Sequence, residues 1–322
     1  MKILVTGSAG FIGFHAVQEF VSRGWGVVGV DNFNDYYSVR LKEDREAILR
    51  KLDRYSGHRL DICDYEGLSR LFAEEQPDVV LNLAAQPGVR YSITHPFVYQ
   101  KTNLEGFLNV LECCRHAAKV PKLVFASSSS VYGGNTKMPF EESDQVDSPV
   151  SLYAATKKAN ELMAHTYSRL YKMQTIGLRF FTVYGDWYRP DMALSLFADA
   201  MLNGRPIKVF NNGDMLRDFT YIDDIVDGII RVVESDSLPL YDIFNIGNHR
   251  SEKLLDVIEV MSRAMGVKPV MEMLPMQAGD VYATYASIEK LHKAVGYEPK
   301  TTIATGIPVF VDWYKWYHTR KA

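Results

Sequence analysis

The chain has 322 residues, 47% apolar and 23% charged, which is enough for one large or two ordinary domains. A formal net charge of −3 gives no reason to expect a nucleic-acid partner or an acidic membrane surface, and no apolar run approaches the roughly 20 residues that span a bilayer. Cys63, Cys113 and Cys114 are the only cysteines, with neither zinc-site nor disulfide-framework spacing, so no metal and a reducing, cytoplasmic location are expected.

Lys2–Thr6 is a short apolar, β-branched run that predicts a strand and leaves no room before it for a signal peptide. Gly7-Ser-Ala-Gly10-Phe-Ile-Gly13 follows at once, and then a helical pattern. Strand, glycine loop and helix in that order are the context of a dinucleotide fingerprint. Gly7 permits the tight turn, Gly10 lets backbone approach a pyrophosphate, and Gly13 lets the helix pack on the strand. Phosphates would then rest on the outward-pointing amides of the helix N-terminus, through Gly10, Phe11, Ile12 and Gly13. The second strand, Gly26–Val30, ends in Asp31-Asn32, 24 positions beyond Gly7. An acidic residue there is placed for adenosine ribose hydroxyls. No basic residue follows until Arg40, which favours NAD over NADP.

Further strands are expected at His58–Asp61, Val79–Leu83, Lys122–Ala126 and Thr175–Phe181, separated by helical stretches. Near-continuous apolar strands alternating with helices indicate a parallel sheet covered on both faces. Ligands bind such sheets beyond the carboxyl ends of the strands. Asp61-Ile62, Leu83-Ala84-Ala85, the serine run Ser127–Ser130 and Thr182 all fall at that edge. Phe244–Asn248 reads as a strand returning to the main sheet. The expected fold is α/β: a doubly wound parallel Rossmann sheet with a smaller, interleaved α/β substrate-binding lobe. The expected division is residues 1–183 and 221–247 for the dinucleotide and 184–220 and 248–322 for the substrate.

Tyr153 and Lys157 stand four residues apart and share a face if the segment is helical. An ammonium beside a phenol favours phenolate and lowers its pKa from about 10. A serine hydroxyl could relay a substrate proton to that base. Alone, the pair is also compatible with an ordinary surface helix, and each serine with capping of a strand end. His95, His116 and His165 share no convincing ligand spacing and are read as structural.

Gly7-x-x-Gly10-x-x-Gly13, Leu83-Ala-Ala85, Ser127–Gly133, Tyr153-x-x-x-Lys157 and Arg217-Asp-Phe-Thr-Tyr-Ile-Asp-Asp224 occur in the order of the extended short-chain dehydrogenases/reductases acting on nucleotide sugars. Asn34-Asp-Tyr-Tyr37, Gly88-Val-Arg-Tyr-Ser92, Pro149–His165, Arg179–Gly185 and Arg189-Pro-Asp-Met-Ala193 make the chain resemble the UDP-glucuronate 4-epimerases within that family, over essentially its whole length. The resemblance implies an isomerase that keeps NAD bound and interconverts UDP-glucuronate and UDP-galacturonate through a transient 4-keto sugar. Tyr153 would be the base, Lys157 its acidifying partner and a hold on the nicotinamide ribose, and Ser128 the relay. Asp31, Asn32, Asp61, Ile62, Leu83, Ala84, Ala85, Asn103 and Ser127 would complete the cofactor site.

For the substrate, Ser129 and Ser130 would touch the sugar, Arg189 with Thr182 would hold the uronate carboxylate, and Arg90 is a second candidate. Arg217 would meet the diphosphate, Lys208, Val209 and Phe210 the uracil, and Asp280 the uridine ribose. A 4-keto uronate is a β-keto acid prone to lose carbon dioxide, and Arg189 with Thr182 is expected to hold the carboxylate out of alignment with the carbonyl. Relatives that eliminate water or decarboxylate carry an acidic residue before Val-Tyr-Gly, where this chain has Ser129-Ser130. A UDP-glucose/UDP-galactose 4-epimerase and a non-catalytic NAD-sensing protein are the competing possibilities. Asp186 and Tyr188 depart from the Pro and Gly usual in relatives. Family members pair through two helices, which implies a homodimer.

Overall fold

The computed structural model describes residues 1–277 and 281–319. Seven parallel strands form the central sheet. Six are β1 (Lys2–Thr6), β2 (Gly26–Asp31), β3 (Tyr55–Arg59), β4 (Val79–Asn82), β5 (Lys122–Ser128) and β6 (Thr175–Phe180), and the seventh is Tyr241–Ile246. Their spatial order is 241–246, β6, β5, β4, β1, β2, β3. The sequence therefore runs outward in both directions from β1 and β4, and a crevice opens where the order reverses. Ile3, Leu4, Val5, Val80, Leu81, Leu123 and Val124 are fully buried, as strands covered on both faces require.

Helices α1 (Phe11–Ser22), α2 (Val39–Leu49) and α3 (Tyr65–Glu75) connect the first strands. A second layer of helix follows β4. Pro96–Tyr99 leads through a wider π-type stretch, Gln100–Gly106, into Phe107–His116. The helix Leu152–Tyr171 lies after β5. No helix among the described residues is long and apolar enough to cross a membrane.

The apolar run read as one strand over Thr175–Phe181 divides in the structure. The amide of Phe181 still donates to Ile246, but that of Thr182 donates to Asp218. The chain changes partner there, and β7 (Thr182–Tyr184) pairs in parallel with Phe219–Tyr221, away from the main sheet. This turn swings Thr182 and the loop after it over the carboxyl edge. The smaller lobe adds two short ribbons, 216–217 with 252–253 and 207–209 with 271–273. It also adds the helices Ala193–Leu202, Leu254–Met265 and Ile303–Thr319. One continuous cluster of buried side chains runs from Ile3 through Tyr184 and Ile222 to Tyr317, so both lobes share a core.

Candidate active site

Helix Leu152–Tyr171 begins where the hydroxyl of Ser151 accepts from the amide of Ala154 at 3.1 Å, an N-cap that fixes the first turn. That turn delivers Tyr153 and Lys157 to the cleft beyond β5. Ser128, the last residue of β5, accepts from the amide of Ser130 at 3.1 Å and shares the cleft with Tyr153, whose phenol its hydroxyl lowers. Of the four serines, Ser128 is the one that acts on the phenol of Tyr153. The hydroxyl of Ser127 turns the other way, donating to Glu161 at 2.7 Å within a buried pair that Glu161 forms with Arg179.

Lys157 does not lower the tyrosine as the spacing suggested. Its Nζ donates to the carbonyl of Ala126 at 2.9 Å, and burial pushes its own pKa down to about 8. The Tyr153 phenol is raised by burial, which outweighs the lowering from the Ser128 hydroxyl and the Arg189 charge. Four-residue spacing places two side chains on one face without directing one at the other.

The other end of the same cleft is lined by Gly7, Gly10, Phe11, Ile12, Gly13, Asp31, Asn32, Asp61, Ile62, Leu83, Ala84 and Ala85. Gly7 has φ +72°, and a Cβ there would stand 2.9 Å from the backbone nitrogen of Ala84. A Cβ on Gly13 would meet the Gly7 carbonyl oxygen at 2.1 Å. No side chain caps α1, and its first turn carries no acidic residue, so its leading amides are left for an anion. Asp31 accepts from the amides of Ala9 at 3.1 Å and Phe33 at 2.8 Å, which fixes its carboxylate at the cleft wall. Asn32 donates to Asp61 at 2.8 Å, tying the ends of β2 and β3 together. These residues fit a dinucleotide: a bare helix N-terminus, backbone free to approach, and an acid at the ribose distance.

Asn103, expected at the cofactor, instead stands behind this wall. Its amide group bonds both backbone groups of Gln86 and the hydroxyl of Thr156, at 2.7–3.1 Å. It lies in the π-type stretch and faces the helix Leu152–Tyr171, where it meets Thr156. It braces the β4 loop against that helix and does not line the cleft.

Ser129, Ser130, Thr182 and Arg189 also line the main cleft. Ser129, Ser130 and Thr182 are shared with a second, adjoining recess that adds Arg90 and Arg217. Arg189 presents Nε and Nη2 to Asp191 at 3.0 and 2.5 Å, so its side-on edge is already matched to a carboxylate. Tyr36 donates to the same carboxylate at 3.1 Å. Arg217 donates to the carbonyls of Leu216, Tyr282 and Val281 at 2.7–3.0 Å, which aligns its guanidinium along the recess. The Arg90 guanidinium lies 5.3 Å from the ring centroid of Phe210, joining the two lobes across its mouth. Lys208 is exposed and Val209 buried in the strand Ile207–Val209. Asp280 lies outside the described residues.

Sequence reasoning missed several residues here. Lys42 was passed over, yet it folds back into the cleft and donates to Asn34 at 2.7 Å through both the backbone and side-chain oxygens. Burial, partly offset by Asp31, lowers its pKa to about 8. Arg45 is fully buried and donates to the carbonyl of Ala9 at 2.9 Å, the hydroxyl of Tyr37 at 3.1 Å and the carbonyl of Trp187. Tyr188 packs edge-on against Phe11 and lines the cleft. Among the described residues, no group of three or more His, Cys, Asp or Glu is arranged to hold a metal ion.

Fold and site together define an α/β enzyme of the dinucleotide-binding class, with a Ser–Tyr–Lys centre and a cationic recess beside it. Residues 3–247 match the NAD dependent epimerase/dehydratase family, and the chain belongs to it. It is 48% identical to Protein CapI of Staphylococcus aureus, over 99% of this chain and 100% of that one. A probable UDP-glucuronate 4-epimerase of Rhizobium meliloti is 44% identical, over 98% and 97% of the two chains. The crystal structure of UDP-glucuronic acid 4-epimerase from Bacillus cereus, in complex with UDP-glucuronic acid and NAD, superposes with a TM-score of 0.93. It is 34% identical and covers 98% of this chain and 100% of that one.

Proposed function

We infer that this chain is an NAD-dependent isomerase that epimerises UDP-glucuronate at C4, giving UDP-galacturonate. The observation that carries it is the gathering of Ser128, Tyr153 and Lys157 in one cleft with the glycine loop and Arg189. NAD, when bound, supplies hydride acceptance at C4 and its return. The chain's own residues do the rest. Tyr153 takes the proton of the C4 hydroxyl and gives it back, with Ser128 bridging substrate oxygen and phenol. Lys157, fixed by Ala126, puts an ammonium at the cofactor side of the tyrosine. Ser129, Ser130 and Thr182 offer hydroxyls to the sugar and its carboxylate, and Arg189 supplies the cation that a desolvated carboxylate requires. Holding that carboxylate out of line with the C4 carbonyl guards against decarboxylation.

Arg217 and Arg90 in the adjoining recess receive the diphosphate, and Lys208, Val209 and Phe210 border the uracil. Anchoring the nucleotide there lets the sugar swing while remote contacts persist. Residues 1–183 and 221–247 form the NAD-binding unit, and 184–220 with 248–322 form the sugar-nucleotide lobe. Phe97 is 82% exposed and Leu162 58%, on the two helical segments that cover the sheet beside the site. Apolar side chains so exposed on neighbouring helices support a homodimer through that face. Three free cysteines support a cytoplasmic location.

The test is direct. NAD-loaded protein given UDP-glucuronate should produce UDP-galacturonate, followed by proton NMR of the anomeric signals. Conversion of UDP-glucose to UDP-galactose with no action on the uronate would replace this conclusion by the neutral-hexose one.

A further inference from the structure

Asp191 accepts the side-on edge of Arg189 through both carboxylate oxygens and also takes the Tyr36 hydroxyl. Burial pushes the Asp191 carboxyl up, but the charge and hydrogen bonds of Arg189 outweigh it and hold it below the usual range. It is therefore a carboxylate wherever the enzyme works. Arg189 thus reaches the cleft with its charge partly offset and its opposite edge, Nη1 and the outer hydrogen of Nη2, turned away from Asp191. A pocket built for the tightest hold on a uronate would present that guanidinium alone.

We propose that Asp191 is a specificity-determining and positioning residue that deliberately weakens the hold of Arg189 on the substrate carboxylate, so that one cation serves two sugar poses. This rests on the assignment of Arg189 to the carboxylate. An epimerase has to bind the same ring in two orientations and release it between them. A full-strength arginine–carboxylate fork would stabilise one orientation and raise the barrier to leaving it, and binding energy spent that way lowers KM without raising kcat. The Asp191 carboxylate works against this by standing close to the incoming one. Like charges at that separation repel, and each change of pose exchanges one weak contact for another. Tyr36 supports the arrangement, since its hydroxyl donates to the same Asp191 oxygen that Arg189 Nη2 engages, which fixes the carboxylate beside the guanidinium.

Asp191→Asn tests the proposal, because it keeps shape and removes the charge. Dissociation constants for UDP-glucuronate and UDP-glucose are measured on NAD-loaded protein in a Tyr153→Phe background that halts turnover, and kcat in the otherwise native enzyme. The expected result is a Kd for UDP-glucuronate lower by about tenfold, no change for UDP-glucose, and a kcat lower by about tenfold. Asp191→Glu should restore the native values in large part. Equal weakening of both ligands by Asp191→Asn, or a kcat that rises with uronate affinity, overturns the proposal while leaving Arg189 in place. Arg189→Ala separates the underlying assignment: if that variant binds UDP-glucuronate as the native protein does, Arg189 does not meet the carboxylate, and the role of Asp191 falls with it.

Discussion

The Nζ of Lys157 lies 2.9 Å from the carbonyl oxygen of Ala126, a bond that spends one ammonium hydrogen on the strand beneath the helix Leu152–Tyr171. Burial lowers this lysine to about 8 from an ordinary value of 10.5. The unfolded chain therefore binds more protons between pH 8 and 10.5, and the buried charge costs stability below that window. Lys157→Met should make the NAD-free protein more stable at pH 7, by up to about 3 kcal/mol, less the lost hydrogen bond. The gain should fade as pH rises toward 10. Activity should fall by about 100-fold or more. Urea unfolding at pH 7 and pH 10 checks the first effect, and a kcat measurement the second.

Ser128 is the hydroxyl that lowers the Tyr153 phenol against the opposing effect of burial. Removing it in Ser128→Ala should raise the phenol further and take away the relay. The alkaline shift is the diagnostic part. With the deprotonated phenol as the proposed base, the rising limb of the kcat profile should move to higher pH, with kcat at pH 7 lower by about 10- to 100-fold. A uniform loss with no movement of the limb would assign Ser128 to substrate binding alone.

The placement of Tyr153 and Lys157 at one cleft was legible in the sequence because the signal was local. Tyr153 and Lys157 sit on one helix turn, and the glycine loop follows β1 without a gap. The parallel sheet was legible for the same reason, since each strand is a short apolar run between helical stretches. What escaped was long-range. Lys42 and Arg45 lie on α2, whose charged composition reads as a solvated helix, yet Arg45 is fully buried because Ala9, Tyr37 and Trp187 surround its guanidinium. The break after Phe180 was hidden because both partners responsible, Ile246 and Asp218, lie far along the chain. Asp191 was read only as part of a motif, and its pairing with Arg189 depends on the turn around Pro190.

His15 lies on α1 between Phe11 and Phe14, and its Nε2 is 3.1 Å from the carbonyl oxygen of Asp186. Burial lowers its pKa to about 4 from 6.5, so the folded protein holds it neutral. Its contribution is complete above pH 6.5 and is lost as pH falls toward 4, by about 3 kcal/mol in all. His15→Gln should be less stable at pH 7.5 but should lose less on going to pH 5. Chemical denaturation of both proteins at the two pH values gives the comparison.

The exposed Phe97 and Leu162 supply the test of assembly. Phe97→Asp combined with Leu162→Glu places charges on the face proposed to pair, where burying them unpaired is costly. Sedimentation should change from dimer to monomer with the far-ultraviolet circular dichroism unaltered. A native protein that already sediments as a monomer at micromolar concentration would remove the homodimer.

Arg45 joins the glycine loop to the loop that carries Arg189, since one guanidinium donates to the carbonyls of both Ala9 and Trp187. Trp187 has φ +54°, a left-handed conformation that a residue other than glycine adopts only when its surroundings hold it there. Arg45 is one such support, and the rings of Phe14, Trp313 and Tyr317 packed on the indole are another. Arg45→Met fills similar space but leaves two buried carbonyls without a donor, which should cost about 2–4 kcal/mol. Because Ala9 precedes the amides at the head of α1, the same change should loosen the dinucleotide loop. The variant is expected to lose NAD during gel filtration where the native protein retains it, and to bind UDP-glucuronate more weakly through the displaced Arg189. Arg45→Lys, which keeps a cation and a donor, should recover part of both. A variant that unfolds at lower urea yet keeps its NAD would confine Arg45 to stability and separate the two loops.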